Sequence, residues 1–288
     1  MTFSELLHGQ RVVLFEGAMG TQLEQRGAPM GAAANLTHPA AVRAVHESYI
    51  ACGCDLLMTN TLTANRIFAH DPASDLRELN LAGVRLARAA AGTAPVLGDL
   101  GSCGKLLQPF GPLTETEAHA AFLEQARTLA EGGVDGFIVE TMTDIREAVC
   151  ALRACRDAAD LPVIVTLTYR TARNGGRTLM GNPTADCVRQ LEAAGAAAIG
   201  ANCGEIDPHE LALIIAAMRA STSLPILAKP NAGKPRVEAG RLIYDLPTAQ
   251  FVDGIGECIR NGATMVGGCC GSSPAYISAL ARALRPAC

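Results

Sequence analysis

Residues Thr114–Glu140 read TETEAHAAFLEQARTLAEGGVDGFIVE, a one-faced helical pattern running into a short apolar strand. Ala118, Phe122, Ala126, Leu129 and Ala130 recur at the helical period, and Thr114 with Glu117 has the spacing of a capping box, which predicts a helix over 114–132. Gly136–Glu140 then has the length and composition of a buried strand.

Outward from this unit the same alternation recurs. Strand candidates are Arg11–Phe15, Asp55–Asn60, Pro95–Leu100, Pro162–Thr168, Ala197–Ala201, Pro225–Lys229 and Thr264–Gly267, with longer segments of helical period between them. Asp207-Pro208 and Ser273-Pro274 mark two more helix starts, each a capping residue followed by proline at the first helical position. Eight strands, each followed by a helix, in 288 residues predict an α/β fold, a single (β/α)8 barrel of the TIM type rather than an open doubly wound sheet. No linker or composition break divides the chain, so residues 1–288 are expected to form one domain. In such barrels the active site lies at the carboxyl ends of the strands, which is where chemistry is to be sought.

Composition narrows the function. The chain is 49% hydrophobic, ample for a buried core, and its formal charge of −4 comes without any Lys/Arg cluster. A nucleic-acid partner or an anionic membrane surface would need concentrated positive charge, so neither is expected and the ligand is expected to be small. Met1–Gln10 has neither the basic nor the apolar region of an export signal, and no apolar run reaches the roughly 18 to 20 residues of a membrane span. A cytoplasmic protein is the expectation. Most of the eleven cysteines lie inside apolar segments; Cys52, Cys54, Cys150, Cys155, Cys187 and Cys258 read as reduced, buried small hydrophobes.

Three other cysteines sit where a barrel places its chemistry. The last strand candidate runs into Gly267-Gly268-Cys269-Cys270-Gly271, and the sixth into Gly200-Ala201-Asn202-Cys203-Gly204-Glu205. Neighbouring side chains on a strand point to opposite faces, so adjacent ligands converge only where the backbone turns, and the flanking glycines permit that. The ends of strands six and eight are close in a barrel, so the three sulfurs can meet at one metal. Soft thiolates favour zinc, and three protein ligands leave a fourth position for substrate. A vicinal disulfide between Cys269 and Cys270, or three ordinary buried cysteines, are the alternatives on local sequence. Glu16-Gly17-Ala18-Met19-Gly20-Thr21 follows the first strand as a glycine-rich turn whose amides can hold a carboxylate or phosphate, or serve only the geometry of the turn. Glu140, an acid closing an apolar strand, is either paired at the barrel mouth or an anion that grips a substrate ammonium.

As a set, Glu-Gly-Ala-Met-Gly-Thr at 16–21, Thr59-Asn60-Thr61, Glu140-Thr141, Gly-Ala-Asn-Cys at 200–203, Pro230-Asn231-Ala232-Gly233 and Gly-Gly-Cys-Cys-Gly at 267–271 resemble the homocysteine S-methyltransferase family over nearly the whole chain. The resemblance implies a zinc-dependent methyltransferase in which Cys203, Cys269 and Cys270 carry the metal and the catalysis. It also implies that Glu16, Gly17, Ala18, Met19, Glu140 and Asn202 contact homocysteine, whose thiol accepts a methyl group to give methionine. A betaine-type donor would need an aromatic cage, yet Met30, Thr63 and Thr141 stand at the cage positions, and the chain has no Trp and four Tyr.

Pro230–Pro235 with Val237–Tyr244, and Glu140-Thr141 continuing to Asp144, look most like the homocysteine-binding barrel of cobalamin-dependent methionine synthase. The chain has no cobalamin-binding segment, so the implied donor is methylcobalamin on a corrinoid protein partner. Two other readings stand beside this one: an enzyme using S-methylmethionine or S-adenosylmethionine as a free donor, and a non-catalytic zinc- or thiol-binding subunit of a corrinoid methyltransferase system. The family usually has Asp where Glu16 stands, which leaves a related small thiol as an alternative acceptor. Cys103, in Ser102-Cys103-Gly104, falls at the third strand's end and so is a candidate to face the site. Cys288 is a further cysteine whose reactivity the sequence does not decide.

Overall fold

The 114–140 stretch folds as its pattern requires. In the computed structural model Thr114 caps helix Glu115–Glu131 in a reciprocal capping box with Glu117, and Ala118, Ala121, Phe122, Ala126 and Leu129 are buried. The strand that follows spans Gly136–Met142. The structure describes residues 1–69, 75–238 and 241–285, so Cys288 lies outside the described residues.

In chain order, a short helix α1 (Phe3–His8) precedes strand β1 (Val13–Leu14). Helix α2 (Pro39–Ala51), strand β2 (Leu57–Met58), helix α3 (Leu76–Ala91) and strand β3 (Val96–Leu100) follow. Helix α4 (Glu115–Glu131), strand β4 (Gly136–Met142), helix α5 (Ile145–Ala158) and strand β5 (Val163–Leu167) continue the alternation. The second half holds α6 (Thr184–Ala193), β6 (Ala198–Asn202), α7 (Pro208–Arg219), β7 (Ile226–Lys229), α8 (Thr248–Arg260), β8 (Met265–Val266) and α9 (Pro274–Leu284). Asp207 and Ser273 are the N-cap residues of α7 and α9, with proline in the first turn, as their sequences predict.

The strands form one parallel sheet in the order β1-β8-β7-β6-β5-β4-β3-β2, so seven of the eight neighbour relations are ladders. The eighth is not. β1 and β2 meet instead where the Asp55 N–H donates to the Leu14 carbonyl at 2.8 Å and the Asp55 carboxylate accepts the Leu14 N–H at 2.8 Å. Each of these two strands is two residues long, and Asp55, just before β2, stands where a ladder between them would run. The sheet is thus a curled eight-stranded parallel sheet with a side-chain seam.

Because successive strand residues face opposite ways, the apolar set divides. Val13, Phe15, Leu56, Leu97, Ile138, Ile164, Ala198, Leu227 and Met265 pack together on the inner face with Phe3, Leu6 and Leu7 of α1. The alternate residues, such as Leu14, Leu57, Val139 and Val165, pack outward against the helices in a larger cluster. Helix α1 covers the amino ends of the strands: a side chain on Gly136, the first residue of β4, would collide with the Phe3 ring at 2.7 Å.

Sequence periodicity did not predict α1, nor the two antiparallel hairpins Tyr169–Thr171 with Arg177–Thr178 and Arg236–Glu238 with Arg241–Ile243. Among the described residues, no helix is long and apolar enough to cross a membrane.

Candidate active site

The inner face of the sheet changes character one pleat before the strands end. Two residues beyond Leu97, Ile138, Ile164 and Leu227, on the same face, stand Asp99, Glu140, Thr166 and Lys229, all buried. Burying charge in an apolar enclosure is costly unless it is paired. Lys229 Nζ accordingly donates to Glu140 Oε2 at 2.8 Å and touches Met58 Sδ at 3.1 Å. Burial pulls the Lys229 ammonium down, but the carboxylate of Glu140 and other negative groups outweigh it and hold the group above its usual range. Asp99 is pushed well above the ordinary carboxyl range, first by burial and then by Glu140.

Past this polar layer the three cysteines converge. Cys203 Sγ and Cys270 Sγ are 3.9 Å apart, and the three sulfurs of Cys203, Cys269 and Cys270 lie within 4.8 Å of one another. Their placement rests on backbone hydrogen bonds to the segment after β7. The Cys203 N–H donates to the Lys229 carbonyl at 3.1 Å, Cys269 N–H to the Pro230 carbonyl at 2.8 Å, and Ala232 N–H to the Cys270 carbonyl at 2.9 Å. Asn231 adds a side-chain bond to the Gly204 carbonyl at 2.9 Å. Cys203 itself is left-handed, at φ +58°, and so is Gly271 at φ +78°, where a side chain would meet Tyr244 Cβ at 2.2 Å. Non-glycine residues in that region are strained, and the strain here turns the sulfur inward at the end of β6.

Such a set fits zinc. Tetrahedral zinc with thiolates at about 2.3 Å needs sulfurs about 3.8 Å apart, close to the separation of Cys203 and Cys270. The thiols alone resist ionisation. For Cys203 and Cys270 the leading influence is a hydrogen bond from a neighbouring sulfur, Cys269 and Cys203 respectively, which pulls the thiol down. The opposing bond between sulfurs and burial outweigh it, and each is pushed up to about 12. The ten described cysteines are all unpaired, so Cys269 and Cys270 form no disulfide.

Asn202 organises the rim. Its Oδ1 accepts the Thr141 N–H at 2.9 Å and the Thr166 hydroxyl at 2.6 Å; its Nδ2 donates to the Thr141 hydroxyl at 2.8 Å and lies 3.7 Å from Cys269 Sγ. Thr141 is another left-handed residue, at φ +63°, so one amide side chain holds two unusual backbone turns in register with a sulfur. The turn at 16–21 closes the opposite side. The Ala18 N–H donates to the Ser272 carbonyl at 3.0 Å, the Thr21 hydroxyl accepts the Gly271 N–H at 3.2 Å, and a side chain at Gly17 would strike Ser272 O at 2.7 Å.

These elements enclose a cavity of about 380 Å³. Glu16, Gly17, Ala18, Met19, Glu140, Cys203, Cys269 and Cys270 all line it, so the sequence-selected residues are brought together, with Asn202 directly behind them. Both oxygens of Glu16 are engaged by the protein: Oε1 accepts the Met58 N–H at 3.0 Å and Oε2 lies 3.3 Å from His46 Nδ1. Cys103 is turned away into the outer core, its N–H donating to Glu147 Oε1 at 2.7 Å and its thiol pushed up by burial. Sequence reasoning missed Asp99 and Lys229, which also line the cavity. The signal that singled out Glu140, an ionisable residue in an otherwise apolar strand, is present at both.

The family model of homocysteine S-methyltransferase matches residues 13–284. The chain belongs to this family. Methyltransferase chemistry follows from that membership, and the six motifs named from the sequence fall within the matched span. Among curated relatives, methionine synthase of Mycobacterium leprae (strain TN) is 30% identical over 96% of this chain and 24% of its own length. That of Mycobacterium tuberculosis (strain ATCC 25618 / H37Rv) is 29% identical over 96% of this chain and 25% of its own. The chain thus spans about a quarter of the length of these relatives. Among solved structures, the metallated form of the Escherichia coli homocysteine methyltransferase MmuM superposes with a TM-score of 0.80 at 24% identity, covering 96% of this chain and 98% of that one. The carboxyl transferase domain of Rhizobium etli pyruvate carboxylase shares the fold more distantly, with a TM-score of 0.57 at 15% identity over 96% of this chain and 47% of that one.

Proposed function

We propose that this chain is a single-domain, zinc-dependent homocysteine S-methyltransferase that forms methionine, with the methyl group delivered by methylcobalamin on a partner corrinoid protein. One observation carries the reading: three sulfurs from the ends of β6 and β8 meet at metal-binding separation on the wall of a cavity that also holds a buried acid–base layer. Cys203, Cys269 and Cys270 would hold the zinc, which supplies the positive charge that keeps a substrate thiol ionised at neutral pH.

The chain's own residues do the rest. The turn at Glu16–Met19 and Glu140 orient the amino-acid end of the substrate, so that its sulfur faces the cysteines and the donor approaches through the open mouth of the cavity. Asn202 keeps Cys269 and Thr141 in place through its four contacts. A thioether would bind zinc less well than the thiolate it replaces, which would favour product release. The donor assignment is supported by the walls: Met30, Thr63 and Thr141 line the cavity where an onium donor calls for aromatic rings, and Phe68 supplies a single ring.

The test is a donor panel. Zinc-loaded protein, with Cys270→Ala as the blank, is given homocysteine and in turn methylcobalamin, S-methylmethionine and S-adenosylmethionine, and methionine is quantified. Methionine from methylcobalamin alone is expected. Transfer only from a free sulfonium donor would replace the donor assignment, and no transfer from any donor, free or protein-bound, would sink the enzyme.

A further inference from the structure

The buried acid–base layer does not balance. Lys229 and Glu140 satisfy one another at 2.8 Å, but Asp99 Oδ1 is buried without a hydrogen-bond partner. Its residue is 5% exposed and lines the same cavity as the three cysteines. An orphaned carboxyl oxygen in an enclosed site is costly, and native proteins rarely leave one without a reason.

The surroundings fix Asp99 in this position. Its N–H donates to the Thr59 hydroxyl at 3.0 Å, its carbonyl accepts the Thr61 hydroxyl at 2.7 Å, and those two hydroxyls are 2.6 Å apart. Both threonines flanking Asn60 thus fix the main chain of β3 at Asp99, while its carboxyl oxygen Oδ1 takes no partner.

Charge counting says what the ligand brings. Three acids on the cavity wall, Asp99, Glu140 and Glu16, face the one Lys229 ammonium, so the wall is short of positive charge, and the zwitterionic acceptor of the proposed reaction carries one α-ammonium. Glu140 Oε2 is already taken by Lys229, so Glu140 has only part of its capacity to offer. We infer that Asp99 is a substrate-binding residue, the carboxylate that receives the α-ammonium of the thiol acceptor beside Glu140, and that Lys229 holds Glu140 in place for the same purpose. The site therefore demands an amino-acid thiol and discriminates against thiols that lack the amine. The upward push on the Asp99 carboxyl from burial and from Glu140 is the condition that an arriving cation relieves.

This inference rests on the proposed thiol acceptor, and calorimetry separates the two. Zinc-loaded wild type and Asp99→Asn are each titrated with L-homocysteine and with 4-mercaptobutanoate, the same thiol acid without the amine. Wild type is expected to bind homocysteine the more tightly. Asp99→Asn is expected to weaken homocysteine by roughly 10- to 100-fold, the range of a hydrogen bond to a charged group, with 4-mercaptobutanoate nearly unchanged. Loss of both thiols alike, or of neither, overturns the role of Asp99 while leaving the acceptor intact. Wild type that binds neither thiol overturns the acceptor and this inference with it. If Asp99→Asn does not fold, as a thermal melt would show, Asp99→Ser removes the same charge with less bulk and is read by the same pair of titrations.

Discussion

Asn202 is the residue on which the geometry of the site depends most. Four contacts converge on its side-chain amide, and two of its partners cannot easily be satisfied otherwise: the Thr141 N–H at a left-handed turn and the buried Thr166 hydroxyl. Asn202→Ala is expected to keep the fold but to lower metal affinity or turnover by about 10- to 100-fold, the usual cost of removing a group that orients metal ligands. Chelator competition for zinc together with kcat/KM checks this, and values equal to wild type would reduce Asn202 to a packing residue. The cysteines were legible because two adjacent cysteines framed by glycines fit poorly in a strand. Asp99 and Lys229 carry the same signal as Glu140, an ionisable residue in an apolar strand, but its meaning depends on which face the strand buries. Only the assembled sheet decides that, by setting Leu97 and Leu227 on the inner face.

At the scale of elements, six of the eight sheet strands stand within the stretches read from periodicity, while β4 runs on to Met142 and β6 to Asn202. Parallel strands buried on both faces are continuous apolar runs, which are easy to find. The hairpins after β5 and β7 escaped because Tyr169–Thr171 and Arg236–Glu238 are short and carry arginine, so their pattern is that of a loop. Helix α1 escaped for another reason: at six residues it is shorter than the window over which a helical face can be recognised, although Thr2 and Glu5 form a capping box. Its contribution is a plug. Phe3 is 2% exposed and belongs to the inner cluster, so Phe3→Ala leaves a void that the facing strands cannot fill. A loss of about 3 kcal/mol is expected, read as a lower urea midpoint at unchanged slope. An unchanged midpoint would mean that α1 frays in solution and covers nothing.

For the molecule as a whole the weak point is the seam, where the ladder between β1 and β2 is missing and Asp55 takes its place. One carboxylate there accepts the Leu14 N–H at 2.8 Å, pairs with Arg11 at 2.8 Å, and pairs with Arg285, beyond α9, at 2.6 Å. It thereby joins the first strand, the second strand and the carboxyl-terminal helix. The arginines are 44% and 42% exposed, so their ion pairs are screened and contribute little individually. The strand amide is different. Without Asp55 the Leu14 N–H, on a residue of zero exposure, loses its partner, and an unsatisfied buried donor costs roughly 1–3 kcal/mol. Asp55→Ala should therefore lower stability by about 2 kcal/mol, a fall in Tm of about 4 °C for a chain of this size. Asp55→Asn, which keeps an acceptor for Leu14 but discards the charge, should recover most of the loss, and added salt should narrow the gap between wild type and Asp55→Asn. Equal losses in the two variants would instead place the stability of the seam in its ion pairs.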